Sequence, residues 1–121
     1  MSRVLVVDDS GVLREMVAEL MKKMGLEVIL ACDGLEAKEQ LETSIPDIVI
    51  TDLIMPRMNG YELCRWIKSN PQSQNLPVIV CSTKNEEFDR YWGMKQGADA
   101  YITKPFHPEE MIETVKQLLR K

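Results

Sequence analysis

Cysteine and histidine are scarce in this chain, and the pattern of the few that occur excludes several classes of protein. The 121 residues contain one histidine and three cysteines, Cys32, Cys64 and Cys81, with no Cys-x-x-Cys pair. Such a set is too small and too scattered for a disulfide framework or a structural zinc site. We therefore expect free thiols in a reducing cytosol.

Long apolar runs and an excess of basic residues are also missing. No apolar stretch approaches the roughly 20 residues of a membrane span, and the start Met-Ser-Arg lacks the design of a signal peptide. Lysine and arginine number 15 against 19 acidic residues, which leaves a formal charge of −4. A phosphate-binding surface would be basic. We expect a cytoplasmic protein that binds neither membranes nor nucleic acid directly.

Short apolar runs alternate with longer amphipathic segments along the whole chain. This pattern predicts a parallel sheet with helices on both faces, the doubly wound α/β class, as one domain over residues 1–121 without an output domain. Helices are predicted between Ser10 and Gly25, over 34–42, from 60 to before Asn70, over 86–96, and from Pro108 onward. The predicted strands are 4–7, 28–31, 48–50, 78–81 and 100–103.

Polar residues follow the predicted strands where a ligand site is expected. In open parallel sheets, ligands bind beyond the carboxyl ends of the strands. Three carboxylates held close together repel one another, and a bound cation relieves that repulsion. Oxygen ligands without histidine or cysteine favour Mg²⁺ over zinc, with Mn²⁺ as the alternative ion. The residues at these strand ends are Asp8, Asp9, Asp52, Ser82, Thr83 and Lys104.

Four stretches in order make the sequence resemble the receiver domains of two-component response regulators, of the single-domain, CheY-like type. The resemblance covers essentially the whole chain. It implies five strands in the order 2-1-3-4-5 with five helices. The stretches are Val-Val-Asp-Asp-Ser (6–10), Thr-Asp-Leu-Ile-Met-Pro-Arg-Met-Asn-Gly (51–60), Leu-Pro-Val-Ile-Val-Cys-Ser (76–82) and Gly-Ala-Asp-Ala-Tyr-Ile-Thr-Lys-Pro-Phe (97–106).

The resemblance implies a phosphorylation switch rather than an enzyme acting on other substrates. Asp52 is then the phosphoacceptor, which takes a phosphoryl group from a sensor histidine kinase or a phosphotransfer domain. Asp9, Asp52 and the backbone carbonyl of Ile54 are the expected Mg²⁺ ligands, and Asp8 acts through water. The phosphorylated form changes its affinity for a downstream output protein, as a monomer or a weak phosphorylation-dependent dimer.

The resemblance also implies roles for residues on the last two strands. Lys104 pairs with the phosphoryl oxygens, and its peptide bond to Pro105 is expected to be cis. Ser82 bonds to the phosphoryl group, although Thr83 remains the alternative switch residue. Tyr101 rotates inward behind the loop after the fourth strand, unless it is a static, half-buried aromatic residue.

Two positions depart from the pattern that receivers often show. Ile54, two residues after Asp52, and Lys84, two residues after Ser82, stand where polar residues often position the water that hydrolyses the phosphoryl group. The apolar side chain of Ile54 cannot orient a water molecule, and Lys84 can shield the phosphoryl charge. We therefore expect slow autodephosphorylation.

Three aromatic residues lie at helical spacing in the fourth predicted helix. Phe88, Tyr91 and Trp92 fall on one helix face, a pattern that most often packs into the core. If Trp92 is exposed instead, Trp92, Tyr91 and Tyr101 are candidates for partner docking. The surrounding sequence is similar to receivers that serve type IV pilus, twitching or phototactic motility.

Other functions fit the residues less well. An aspartate-nucleophile phosphatase needs an Asp-x-Asp-x-Thr-like arrangement on one strand, whereas here Asp8 and Asp9 are adjacent. A flavodoxin-type electron carrier needs a phosphate loop rich in glycine and hydroxyls, and the carboxylates of Asp8 and Asp9 would repel the phosphate of its flavin. A receiver that serves as a phosphate sink, or as a scaffold without phosphorylation, is the remaining alternative.

Overall fold

The chain folds into a five-stranded parallel sheet with helices on both faces. The structure is a computed structural model, which describes residues 2–84 and 86–120. The doubly wound α/β prediction is confirmed. The strands are β1 (Arg3–Val7), β2 (Glu27–Ala31), β3 (Ile48–Thr51), β4 (Val78–Ser82) and β5 (Ala100–Thr103). The helices are α1 (Gly11–Lys23), α2 (Gly34–Thr43), α3 (Gly60–Ser69), α4 (Glu87–Lys95) and α5 (Pro108–Leu119).

The strand order is β2-β1-β3-β4-β5, as the family resemblance implied. Val7 pairs with Ala31 on one side and Thr51 on the other, and Val80 pairs with Thr51 and Tyr101. This register aligns the carboxyl ends of all five strands. The residues that follow β1 and β3 therefore meet at one edge, where the strand order also reverses.

The side chains of β1 show how the sheet supports two cores. Val4 and Val6 pack on the face covered by α1 and α5, whereas Leu5 and Val7 pack on the face covered by α2 and α3. All four are at most 1% exposed, because both faces of a parallel sheet are covered. Buried apolar area on both sides makes the sheet a rigid platform for the loops at its edge.

Local signals begin and end the helices where the sequence predicts. The Ser10 hydroxyl accepts a hydrogen bond from the amide of Leu13 at the start of α1. Asn59 and Glu62 form a reciprocal capping box at the start of α3. Gly25 and Gly97, just beyond α1 and α4, have φ values of +87° and +107°, which favour glycine. Among the helices described, none is both long and apolar enough to cross a membrane.

Two helices begin with a glycine that lies directly against another loop. A Cβ atom on Gly60 would overlap the main-chain oxygen of Asp52 and lie 2.9 Å from Cα of Leu53. A Cβ atom on Gly34 would overlap the main-chain oxygen of Met58. The absence of a side chain thus lets α3 start against the strand end that carries Asp52, and lets α2 start against the β3–α3 loop.

Gly60→Ala should destabilise the fold by about 1–3 kcal/mol, because backbone atoms must move to admit the methyl group. Gly11→Ala is the matched control, since Gly11 also begins a helix and its nearest atom would lie 3.7 Å from the new Cβ. Urea unfolding followed by tryptophan fluorescence measures both. Equal stability of the two variants would contradict the close approach of α3 to Asp52.

Candidate functional site

Three carboxylates lie together at the carboxyl edge of the sheet. Asp8 and Asp9 follow β1, and Asp52 follows the adjacent strand β3, where its amide bonds to the carbonyl of Val7 at 2.9 Å. One oxygen from each carboxylate lies within 4.8 Å of the others. Asp8 is buried, Asp52 is partly buried and Asp9 is exposed. The convergence expected from the strand ends is therefore present, and the site opens to solvent on the side of Asp9.

Lys104 enters this cluster from the end of β5. Its Nζ donates a hydrogen bond to Oδ2 of Asp8 at 2.7 Å and lies 3.7 Å from Oδ1 of Asp52. The Lys104 side chain is 7% exposed, so this ion pair is almost withdrawn from water. The peptide bond between Lys104 and Pro105 is cis, as expected. One lysine among the described residues thus contacts two of the three carboxylates.

Burial and neighbouring charges shift the ionisation of this cluster. Burial raises the pKa of Asp52, partly opposed by the ammonium of Lys104 and by a 2.7 Å hydrogen bond from the amide of Leu53. Burial opposes the charge on Lys104, but the carboxylates of Asp8 and Asp52 raise its pKa above the ordinary value. The lysine therefore stays charged. Three carboxylates against one ammonium leave an excess of negative charge, which suits a divalent cation.

The end of β4 places Ser82 beside this cluster. Ser82 is buried, whereas Thr83 is exposed. The main-chain oxygen of Ser82 accepts a 2.8 Å hydrogen bond from the amide of Lys104, and its hydroxyl accepts one from the amide of Lys84 at 3.2 Å. This geometry favours Ser82 over Thr83 as the hydroxyl next to the site.

Tyr101 is turned inward behind the loop that follows β4. Its side chain is 6% exposed, so it is not the half-buried aromatic residue of the alternative interpretation. The hydroxyl donates a 2.7 Å hydrogen bond to the main-chain oxygen of Lys84, and burial raises the pKa of Tyr101 to about 12. Tyr101 therefore ties β5 to Lys84, in the loop that follows Ser82.

Ile54 and Lys84, the two departures from the receiver pattern, both have exposed side chains. The side chain of Ile54 is 56% exposed, between the buried side chains of Leu53 and Met55. Lys84 is also exposed. Two exposed side chains, one apolar and one cationic, thus follow Asp52 and Ser82 at equal spacing.

The aromatic residues of α4 are exposed, so of the two interpretations the packing of these rings into the core is wrong, and the exposure of Trp92 holds. Phe88, Tyr91 and Trp92 are 67%, 59% and 39% exposed. Within Glu87–Lys95, all of which the structure describes, the buried residue is Gly93. Gly93 packs so closely on Tyr101 that an added Cβ atom would lie 2.9 Å from the tyrosine ring. The helix therefore rests on the sheet through its glycine and points its aromatic rings outward. Trp92 makes edge contacts with both neighbouring rings, at 6.1 Å between centroids.

A groove of about 620 Å³ runs beside these rings along α4 and β5. Its wall includes Tyr91, Met94 and the edge of Tyr101, with Arg90 and Lys95 at its rim. The exposed rings and this groove form one surface, which we call the α4 face.

Sequence reasoning missed two groups near the site. Arg14 on α1 donates a 2.7 Å hydrogen bond to the main-chain oxygen of Asp8. Arg57 in the β3–α3 loop pairs with Asp33 at the start of α2. The only sequence signal for Arg14 is its position about one turn into the helix that follows Asp8 and Asp9, which is a weak signal. The contact of Arg57 depends on a loop conformation that the presence of an arginine does not predict.

Comparisons with known proteins agree with this geometry. The family model described as the response regulator receiver domain matches residues 4–116. Protein PilG of Pseudomonas aeruginosa is 40% identical over 94% of this chain and 84% of its own length. Protein PilH of the same organism is 34% identical, with 98% of both chains covered. The chain spans about half the length of the alkaline phosphatase synthesis regulators among its relatives.

The solved structures include a close match of similar size. Chemotaxis response regulator CheY4 of Vibrio cholerae is 32% identical, has a TM-score of 0.91 and is matched over 98% of both chains. Together with the family match over 4–116 and the acidic cluster beside Lys104, this likeness shows that the chain belongs to the response regulator receiver domain family, the signalling switches of two-component systems.

Proposed function

We propose that this chain switches between two states when Asp52 accepts a phosphoryl group from a sensor histidine kinase or a phosphotransfer domain. The observation that carries the proposal is the position of Asp52, partly buried, with Asp8 and Asp9 within 4.8 Å and the ammonium of Lys104 at 3.7 Å. A carboxylate oxygen of Asp52 attacks phosphorus and the phosphorus–nitrogen bond of phosphohistidine breaks. The imidazole keeps the electron pair of that bond and takes up a proton from water. The product is an aspartyl phosphate.

The same acidic residues fit Mg²⁺, with Mn²⁺ as the alternative ion. Asp9, Asp52 and the backbone carbonyl of Ile54 would hold the ion directly, and the buried Asp8 would hold it through water. The ion would neutralise charge on the phosphoryl oxygens. All four groups offer oxygen, the donor that Mg²⁺ prefers. Phosphoryl transfer depends mainly on positioning and charge neutralisation, so a fixed acidic cluster is suited to it.

Lys104 supplies the fixed positive charge of the site. Because its ammonium lies between Asp8 and Asp52 and is almost fully buried, it can pair with a phosphoryl oxygen on Asp52 without first being ordered. Ser82 lies at the end of the neighbouring strand, and its hydroxyl would donate a hydrogen bond to another phosphoryl oxygen. The chain thereby catalyses its own phosphorylation and its own slow dephosphorylation.

A phosphate donor has an apolar surface beside the site on which to dock. Val12 and Met16 on α1 are 80% and 50% exposed, just after the turn that carries Asp8 and Asp9. Exposed apolar side chains next to a polar reaction site are typical of protein contact surfaces. The donor therefore approaches over α1, so that its phosphohistidine reaches the open side of the cluster.

The output signal passes through Tyr101 to the α4 face. A hydrogen bond donated by Ser82 to the phosphoryl group would pull on the loop after β4, where the Lys84 carbonyl accepts a hydrogen bond from the hydroxyl of Tyr101. The Tyr101 ring in turn supports α4 at Gly93. An output protein would dock on Trp92, Tyr91 and the groove beside them. Likeness to PilG, PilH and a chemotaxis response regulator supports a role in motility or chemotaxis control.

Incubation with acetyl phosphate or carbamoyl phosphate and Mg²⁺ should add one phosphoryl group, and Asp52→Asn should abolish the addition, because the amide is not a nucleophile for phosphorus. Intact-protein mass spectrometry measures the adduct. Glu113→Gln, which changes an exposed carboxylate on α5, is the control and should be phosphorylated normally. An unmodified wild-type protein, or an adduct that survives in Asp52→Asn, would rule out the proposed function.

Ile54→Asn should shorten the life of the phosphorylated protein by about threefold or more, which is about 0.65 kcal/mol of barrier. The amide can orient the attacking water, whereas the exposed apolar side chain of Ile54 cannot. Loss of the adduct after removal of the phosphate donor gives the rate. Ile54→Val keeps the position apolar and should leave the rate unchanged. A longer life in Ile54→Asn would count against this role of Ile54.

A further inference from the structure

A strained turn lies in the loop between β3 and α3. The amide of Met58 bonds to the carbonyl of Pro56 at 2.8 Å, and Arg57 between them has a φ of +68°. A three-residue turn with a positive central φ is rare and strained for any residue except glycine. Strain that persists at a non-glycine residue near a functional site is offset by a gain from other contacts in the structure.

The side chain of Arg57 provides such a gain. Its Nε donates to Oδ2 of Asp33 at 2.7 Å, and the Asp33 side chain is 6% exposed. The other oxygen of Asp33 accepts a 2.8 Å hydrogen bond from the amide of Glu36 at the start of α2. The hydrogen bond from Arg57 is the largest influence that lowers the pKa of Asp33. The guanidinium thus pairs with a nearly buried carboxylate that is itself fixed to a helix.

The two backbones also touch at this point. The amide of Gly34 bonds to the carbonyl of Met58 at 3.0 Å, and Gly34 leaves no room for a Cβ against that carbonyl. The pair of Arg57 with Asp33 and this backbone bond form a double contact between the β2–α2 turn and the β3–α3 loop. We call this contact the loop latch.

The latched loop leads back to the carboxylate site. Close to the carboxylate site, the amide of Gly60 donates a hydrogen bond to the carbonyl of Leu53 at 2.9 Å, and the amide of Leu53 donates one to a carboxylate oxygen of Asp52. Farther from the site, the loop latch holds the same loop at Arg57 and Met58. Ile54 lies between these two anchors, two residues after Asp52 in the chain. The position of the Ile54 carbonyl therefore depends on both ends of the loop.

We propose that Arg57 is a positioning residue, which through Asp33 holds the β3–α3 loop so that the Ile54 carbonyl faces a divalent cation at Asp9 and Asp52. This inference rests on the proposed function, because that function assigns the Ile54 carbonyl to the ion. Arg57 touches neither the ion nor the phosphoryl group. It acts by fixing the loop that presents one ligand.

Arg57→Gly tests the effect of losing the guanidinium separately from the effect of the backbone strain. Glycine adopts a φ of +68° freely, so the turn can persist while the guanidinium is lost. Arg57→Lys keeps a cation and the same strain, and a lysine ammonium can still reach the carboxylate of Asp33. Asp33→Asn removes the charge but keeps an oxygen for the amide of Glu36.

The probe is Mg²⁺ alone, titrated by calorimetry into the unphosphorylated protein. Arg57→Gly should weaken Mg²⁺ binding by about tenfold, the usual effect of losing a group that orients a metal ligand. Arg57→Lys should recover part of the affinity. The double variant Arg57→Gly with Asp33→Asn should bind no more weakly than Arg57→Gly, because both changes remove the same contact.

The control variant is Lys68→Met, which removes a 2.9 Å ion pair to Asp99 on the opposite edge of the sheet. It should change stability without changing Mg²⁺ affinity. Urea unfolding of every variant separates the two effects. Amide hydrogen exchange at Gly34, whose amide lies in the loop latch, should become faster in Arg57→Gly and stay unchanged in Lys68→Met.

Three results overturn the inference, and the third also overturns the proposed function. If wild-type protein binds Mg²⁺ and is phosphorylated on Asp52, but Arg57→Gly binds Mg²⁺ within twofold of wild type, Arg57 has no positioning role and the proposed function stands. The same conclusion follows if Arg57→Gly and Lys68→Met weaken Mg²⁺ binding equally, in proportion to their loss of stability. If the wild-type protein neither binds Mg²⁺ nor accepts a phosphoryl group, both proposals fail.

Discussion

Repulsion among Asp8, Asp9 and Asp52 is the constraint on which the rest of this structure depends. The sheet brings three carboxylates within 4.8 Å of one another, and the 2.7 Å contact of Lys104 with Asp8 offsets part of their repulsion. Because both partners are nearly buried, this attraction is only weakly screened by water and salt. Negative charge still exceeds positive charge at the site. That imbalance favours a divalent cation at this site.

Close backbone contacts hold two loops beside this charge cluster. Gly60 lets α3 start against the strand end of Asp52, and Gly34 lets α2 meet the β3–α3 loop. Arg57 and Asp33 add a charged contact at the same place. A reaction that relies on positioning needs this support, because small displacements of a ligand or nucleophile slow it strongly.

By contrast, α4 is attached loosely. Gly93 packs on Tyr101, whereas Phe88, Tyr91 and Trp92 point outward. A helix with so little buried surface is expected to cost less free energy to displace than one packed deeply into the core. The carboxylate cluster thus lies on the side of the molecule where the loops have close backbone contacts, and the exposed aromatic rings lie on the side with little buried helix surface.

The sequence by itself determined the α/β class, the strand ends that carry the site and most helix boundaries, because buried strands, caps and glycines act over a few residues. The convergence of Asp8, Asp52 and Lys104 was predictable for the same reason, since the ends of parallel strands meet at one edge. Only the tertiary structure decided that the aromatic residues of α4 are exposed. Helical spacing shows which residues share a face, but the packing of Gly93 on Tyr101 sets which way that face points. The pairing of Arg57 with Asp33 likewise joins loops 24 residues apart in sequence, through a backbone conformation that no local signal at an arginine specifies.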